Sequence, residues 1–306
     1  MLKVGVIGVG YLGQFHAEKY AQLPEVELVG VMDIKKERAK EVANRFQCIA
    51  FDSLESLLKE IEAVSVVVPT KSHYEVASIC LNEGKHVLLE KPMTETLKQA
   101  DDLIALAQKK GVVFQIGHLE RFNPAVIALF KYLKNPLFIE SHRLGFSLER
   151  GIDVDVILDL MIHDLDIVLT AVNANVVEIR AVGVPVVSDK IDIANVRLEF
   201  ENGCVANLTA SRISGKGMRK IRFFQKDAYF SLDYTKKELV IVKRKQDFLP
   251  FSYECLHFEG DQLKEEIISF IKAIKDNKPP VVSAQDGRRA LALALDINQH
   301  IQKRLK

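Results

Sequence analysis

The stretch K-V-G-V-I-G-V-G-Y-L-G, Lys3 to Gly13, decides how the chain is read. An apolar run containing Val4, Val6 and Ile7 meets Gly8, Gly10 and Gly13, the pattern of a strand that turns abruptly into a helix. Gly8 permits the tight bend, Gly10 lets a pyrophosphate approach the backbone, and Gly13 lets the new helix pack closely on the strand. The start of that helix offers N–H groups and a positive dipole end to phosphate. A glycine-rich turn also occurs where nothing binds, so its surroundings have to carry the reading.

Working outward, Tyr11 to Leu23 is long enough for a helix, and a second apolar run, Val26 to Met32, ends at Asp33. A carboxylate at the end of the second strand is placed to accept hydrogen bonds from the adenosine ribose and to repel the extra phosphate of NADP. NAD is therefore the expected cofactor, and Lys35 and Lys36 leave NADP open. The competing reading of Asp33 is a cap for the helix that begins near Lys35.

A chain of 306 residues has room for two domains and a sizeable core. Lys and Arg number 42 against 41 acidic residues, so a net charge of +1 provides no field for nucleic acid or an anionic membrane. No run approaches the roughly 18 apolar residues of a membrane span. Cys48, Cys80, Cys204 and Cys255 lie far apart without zinc spacing and read as buried thiols of a cytoplasmic protein.

From Met1 to about Gly117, apolar runs at 2–7, 26–32, 63–68, 86–90 and 112–117 alternate with amphipathic segments, which implies parallel βαβ units. Thr94 is the expected cap of a helix ending before Gly111, and Ser72 of the helix after Pro69. Beyond Gly117 the pattern changes. An apolar helix follows Pro124, Pro136 opens a strand to about 146, and β-rich runs from about 175 to 258 include a hairpin at Glu201-Asn202-Gly203. Helices are expected near 261–275 and 285–303. The expected fold class is α/β: an N-terminal doubly wound parallel (Rossmann) sheet over 1–118, and a C-terminal α+β domain built on an open, mainly antiparallel sheet over 119–306. The C-terminal helix is free to pack back on the first domain.

The segment D-V-D-V-I-L-D-L-M-I-H-D-L-D-I-V-L, 153–169, points to chemistry. Asp155, Asp159, His163 and Asp166 recur at helical spacing on an otherwise apolar rod. Solvent faces are usually built from Lys, Glu, Gln and Arg, whereas Asp is a poor helix former. A stripe of Asp and His on such a rod is expected to face a wet cleft. Asp159 and His163, four apart, lie one turn apart, so the carboxylate can orient the imidazole. Lys91, between Glu90 and Pro92 at the end of the fourth strand, is the expected partner: His163 takes a substrate hydroxyl proton while Lys91 stabilises the developing alkoxide. No metal is expected, because no Cys or second His stands at ligand spacing.

These motifs together, G-V-G-Y-L-G at 8–13, P-T-x-x-H at 69–73, E-K-P at 90–92 and D-x-x-x-H at 159–163, resemble the Gfo/Idh/MocA oxidoreductases over essentially the whole chain. The resemblance implies catalytic roles for Lys91, Asp159 and His163, and a cofactor site that includes Tyr11, Leu12, Thr70, His73 and Glu90. It also implies self-association, as a homodimer or homotetramer, through the open sheet. Within the family, G-H-L-E-R-F-N-P at 117–124 and S-H-R-L-G at 141–145 look like bacterial UDP-N-acetylglucosamine 3-dehydrogenases, which serve lipid A or surface polysaccharide synthesis. A sugar diphosphate needs cationic or amide donors, for which Arg121, Asn123, Arg143 and Arg150 are candidates. Each arginine equally suits a salt bridge. A free sugar or inositol as substrate, and a non-catalytic NAD(H) sensor, are the competing functions.

Overall fold

The run after Met1 becomes β1 (Leu2–Ile7), with Val4 and Val6 fully buried. It is the central strand of a unit made of Met1–His118 and Leu263–Arg288 in a computed structural model that describes residues 1–146, 154–245 and 250–305. In chain order there follow α1 (Gly13–Ala21), β2 (Val26–Met32), α2 (Lys36–Phe46), β3 (Ile49–Ala50), α3 (Leu54–Glu60), β4 (Ala63–Val66), α4 (His73–Asn82), β5 (His86–Glu90), α5 (Leu97–Lys110) and β6 (Phe114–Gly117). All pairings in the sheet are parallel, in the order β3-β2-β1-β4-β5-β6. The order reverses between β1 and β4, and the loops that diverge there open the crevice in which doubly wound sheets bind ligands.

Two expected caps fall elsewhere. The α5 N-cap is Thr96, not Thr94: Thr96 accepts the Gln99 N–H, and Gln99 reaches back to the Thr96 N–H in a capping box. Thr94 instead donates its hydroxyl to the Thr96 carbonyl. Ser72 precedes α4 but makes no capping bond with its side chain, because a 3₁₀ turn over Thr70–Ser72 already leads into the helix.

The second unit, Leu119–Gln262 with Arg289–Lys306, contains α6 (Pro124–Tyr132), β7 (Pro136–Phe146), α7 (Ile162–Val172), β8 (Val176–Val184), β9 (Ile193–Phe200), β10 (Val205–Ser211), β11 (Ile213–Gln225), β12 (Ala228–Asp233), β13 (Glu238–Arg244) and β14 (Phe251–His257). Its sheet runs β14-β13-β12-β11-β7-β10-β9-β8, antiparallel except for the β10–β7 pair. The Glu201–Gly203 turn does join β9 to β10, with Gly203 at φ 82°. One face of the sheet buries Ile139, Phe223, Phe230 and Ile241 against α6 and α7.

The final helices, α8 (Gln262–Lys275) and α9 (Ala284–Leu305), belong to both units by residue. In the first unit, Ser283 bridges to Gln115 and the Ile116 N–H donates to the Val282 carbonyl, which adds a short strand beside β6. In the second, Leu293, Ala294, Ile297 and Ile301 of α9 complete the core. All four cysteines are free thiols. Cys80 and Cys204 are buried, where burial raises their pKa to about 12 and about 11, but Cys255 is exposed on β14, contrary to the expectation from sequence.

Candidate active site

The glycine turn has the geometry its sequence requires. Gly8 sits at φ 84°, and a Cβ there would lie 2.6 Å from the Val67 carbonyl oxygen; at Gly13 it would lie 1.8 Å from the Gly8 oxygen. Gly10 differs, because a Cβ there would meet only the flexible Arg38 guanidinium, at 3.4 Å. The protein's own packing does not demand glycine at 10, so the space a side chain would fill is left to a ligand. No side chain caps α1 and no acidic residue lies in its first turn, so its dipole end suits an anion. Leu12 is the N-cap, and Tyr11, 60% exposed, packs edge-on against Phe15.

Asp33 joins this turn to the end of β2. Its Oδ2 accepts the Val9 N–H at 3.0 Å and its Oδ1 the Lys35 N–H at 2.8 Å. The N-cap position of α2 is Lys35, so Asp33 does not fill it. Arg38 Nη1 lies 3.5 Å from Asp33 Oδ2, a neighbour that the sequence reading did not single out. Open cradle, uncapped helix start and carboxylate together fit a dinucleotide.

Behind β5 lies a buried polar cluster that was also missed. Glu90 Oε1 is 3.2 Å from His16 Nε2, and Glu90 Oε2 accepts the Lys91 backbone N–H at 3.3 Å. His16 Nδ1 is 3.1 Å from Ser65 Oγ, which is 2.9 Å from the Tyr20 hydroxyl. Burial alone would raise the Glu90 pKa; the His16 hydrogen bond, with the Lys91 charge nearby, outweighs it and holds the carboxyl below its ordinary value. The signal was present in the sequence: His16 and Tyr20 are four apart on the inward face of α1, and Ser65 interrupts an apolar strand.

Of the remaining residues expected at the cofactor, Thr70 opens the 3₁₀ turn after Pro69, and His73 is buried at the start of α4. Both His73 ring nitrogens lie 2.8 Å from carbonyl oxygens, those of Pro92 and Val68. Burial lowers its pKa, and a neutral ring donates to one of the two. His73 thus ties the Pro92 carbonyl of the Glu90-Lys91-Pro92 turn to the Val68 carbonyl beyond β4, and Lys91 itself is half-buried.

In the second unit, the Asp-rich rod separates into distinct jobs. Asp155 Oδ1 accepts the Ile157 and Leu158 N–H groups, and its Oδ2 accepts from Asn298. Asp166 receives Arg121 Nε at 2.6 Å and Nη2 at 2.9 Å; Asp164 receives Arg143 Nε at 2.9 Å and Nη2 at 3.0 Å. Arg143 Nη1 donates to Glu120 at 3.0 Å, and the guanidinium stacks 4.7 Å from the Tyr234 ring centroid. Burial would lower the Arg143 pKa, yet the Asp164 and Glu120 charges outweigh it and raise it further. Asp159 and His163 are half-buried on successive turns, with a π-helical turn over Ile157–Met161 where an unbroken α-helix was expected. Such turns insert a residue into the helical repeat and recur at functional sites.

Asn123 is fully buried: its Oδ1 caps α6 through the Ala125 N–H, and its Nδ2 donates to the Tyr234 carbonyl. Arg150 lies outside the described residues. Among the described residues, metal-ligating side chains come together at Glu238, Cys255 and His257 on β13 and β14, three donors with two of them exposed, short of a closed four-ligand site. No helix among them is long and apolar enough to cross a membrane.

Two family profiles match the chain. Residues 2–118 match the NAD-binding Rossmann fold of the oxidoreductase family GFO_IDH_MocA, and 144–231 match the GFO/IDH/MocA C-terminal domain. The UDP-N-acetylglucosamine 3-dehydrogenase of Acidithiobacillus ferrooxidans is 41% identical over 311 residues, covering 98% of this chain and 97% of that one. A solved structure of the A. ferrooxidans enzyme superposes with a TM-score of 0.95, covering 99% of this chain and 98% of that one. The myo-inositol 2-dehydrogenase of Thermotoga maritima is 26% identical over 324 residues, covering 99% and 97%.

Proposed function

The chain belongs to the Gfo/Idh/MocA oxidoreductase family, and on that footing we propose that it oxidises the 3-hydroxyl of UDP-N-acetylglucosamine to a ketone. The observation that carries this reading is the full-length 41% identity to an enzyme of that name, against 26% to an inositol dehydrogenase.

Bound NAD supplies the hydride acceptor. We assign the proton to His163: its imidazole takes the proton of the substrate hydroxyl, and Asp159 keeps that ring oriented and balances the imidazolium. Lys91 is assigned to the oxygen, where an ammonium stabilises alkoxide character as it develops. Its main chain is held by Glu90, which accepts the Lys91 N–H. Arg143 has Nε, Nη1 and Nη2 each committed to a carboxylate, so we assign it to the frame of the site rather than to substrate phosphate. Arg121, whose Nε and Nη2 both bind Asp166, is given the same part.

Self-association as a homodimer or homotetramer belongs to the same reading. On the face of the second sheet opposite Ile139, Phe223 and Phe230, the register lines up Phe138, Phe224, Tyr229, Val242 and Tyr253 in one row across five strands. Tyr253 is 63% exposed, and Phe138, Phe224 and Tyr229 stack with centroids 5.4 and 4.9 Å apart. An apolar row on an uncovered sheet face is a surface for a second copy. Free Cys80 and Cys204 suit a reducing, cytoplasmic setting.

The test is direct. Purified protein with NAD and UDP-N-acetylglucosamine should produce NADH, and His163→Ala should lower kcat on the order of 10²- to 10⁴-fold while NAD affinity is retained. No turnover of the nucleotide sugar alongside good turnover of a free polyol removes the substrate assignment. Full activity in His163→Ala removes the base.

A further inference from the structure

Helix α8 buries Leu263, Glu266, Ile267, Phe270 and Ile271, the i, i+3, i+4, i+7, i+8 stripe of an amphipathic helix, with a glutamate in the middle of it. Glu266 is completely buried, and neither of its carboxyl oxygens has a hydrogen-bond partner. Its backbone carbonyl accepts Gln115 Nε2 at 3.2 Å, and the Gln115 side-chain oxygen is likewise buried without a partner. A native carboxyl left in this condition calls for an explanation, because an ionised carboxylate there would be stripped of water and of donors together.

The explanation lies in its neighbours. Glu90 is the carboxyl whose charge reaches Glu266, and the Tyr20 hydroxyl on α1, bound to Ser65, belongs to the same cluster. The other charged or titratable members of the cluster are His16 on α1, His73 on α4 and Lys91 after β5; Ser65 on β4 and Gln115 on β6 add only neutral dipoles. Two carboxyl groups in one buried cluster do not both ionise when one of them lacks donors. Their partners decide between them: Glu90 has the His16 imidazole at 3.2 Å and the Lys91 N–H at 3.3 Å, whereas Glu266 has neither.

We infer that Glu266 is a positioning residue, a neutral carboxylic acid whose retained proton leaves Glu90 as the single carboxylate of the cluster and so keeps the backbone of Lys91 in place. Burial, with the Glu90 charge behind it, raises the Glu266 pKa well above the ordinary carboxyl value. The sign of the resulting pH dependence follows. The folded protein keeps a proton that the unfolded chain releases, so the contribution of Glu266 to stability falls as pH rises above the unfolded carboxyl value. Deprotonation would set a second negative charge against Glu90 and loosen the anchor of Lys91.

Glu266→Gln has the same shape and cannot ionise. It should keep kcat and NAD affinity near those of the wild type at neutral pH, whereas Glu266→Ala, which leaves a cavity behind Glu90, should lose kcat by about tenfold or more. The Tm of Glu266→Gln should gain on the wild type steadily as pH rises above the ordinary carboxyl range. Infrared spectra of the wild type at neutral pH should contain a protonated-carboxyl C=O stretch that disappears in Glu266→Gln. Parallel Tm curves, or wild-type spectra without that band, would overturn the inference, and so would loss of activity in Glu266→Gln with full activity in Glu266→Asp. The Tm and infrared measurements need no substrate, so they stand or fall apart from the assignment of the reaction.

Discussion

In the second unit, Asp164 and Asp166 are each 2% exposed, and each receives two N–H bonds from one arginine fork. In the first unit, Glu266 is fully buried and receives none. The two regions solve the same problem by different means. A bidentate guanidinium supplies a permanent opposite charge and fixed geometry, which builds a frame. A retained proton removes the charge altogether, and that solution is set by pH and by the state of the nearest ionised group. Fixed ion pairs surround the rod that carries Asp159 and His163, while the adjustable cluster lies behind Lys91.

Removing Arg143 tests the frame and should give the largest effect. Its side chain is 4% exposed and satisfies both Asp164 and Glu120. Arg143→Ala leaves two carboxylates without their cation, and breaking a buried pair in this way costs about 3–5 kcal/mol. Denaturant unfolding measures it. A loss under about 1 kcal/mol, the value of an exposed pair, would mean that the arginine forks are not a frame at all.

Asp192, between β8 and β9, sharpens the comparison with a third solution, a buried carboxylate held by amides. Its Oδ2 accepts the Val186, Val187 and Ser188 N–H groups, and the Ser188 hydroxyl donates to Oδ1. Burial would raise its pKa, but these donors outweigh that and bring it down to about 2. Because the folded value lies below the unfolded one, about 3.9 for an aspartate, its stabilisation is complete above about pH 4 and is lost as pH falls towards 2. Asp192→Asn should therefore cost stability at neutral pH and flatten the acid limb of the Tm profile. An unchanged acid limb would show that these amides do not favour the charged carboxylate. The Glu266 profile bends the other way, losing stability on the alkaline side, so the two carboxyls separate cleanly by pH.

How much of this could be read in advance depended on the range of the interaction. The glycine turn was legible because its pattern is local: Gly13 packs on the Gly8 carbonyl five residues back, although the Val67 oxygen that confines Gly8 comes from beyond β4. The two-sheet division was legible from the change of period near Gly117. Thr96 was readable too, since T-x-x-Q at 96–99 spells a capping box, and Thr94 merely came first. Asp166 looked like a member of a cleft-facing stripe, and Arg121 and Arg143 like phosphate ligands, because no local pattern records a pairing across 45 or 21 residues. The π turn at Ile157–Met161 alters the spacing on which the Asp159–His163 reading was built, and nothing in the apolar sequence announced it. Glu266 was visible as a charge on an apolar stripe, but Glu90, the neighbour that gives it meaning, lies on a distant strand.

The smallest effects should come from the neutral edge of the first cluster, where Ser65 serves two partners. Tyr20→Phe removes one hydroxyl, yet Ser65 Oγ keeps His16 Nδ1 at 3.1 Å, so the cost should be that of a single neutral hydrogen bond, about 0.5–1.5 kcal/mol. Ser65→Ala should cost more, because it deprives both the Tyr20 hydroxyl and His16 Nδ1 of a partner in a site with no water access. Both single variants remove the same 2.9 Å contact, so the double variant should cost less than their sum by about 0.5 kcal/mol or more. Strict additivity would mean that the tyrosine and serine do not act on each other. The cluster behind Glu90 would then be a set of separate contacts, and the contrast with the arginine frame would narrow to the single proton on Glu266.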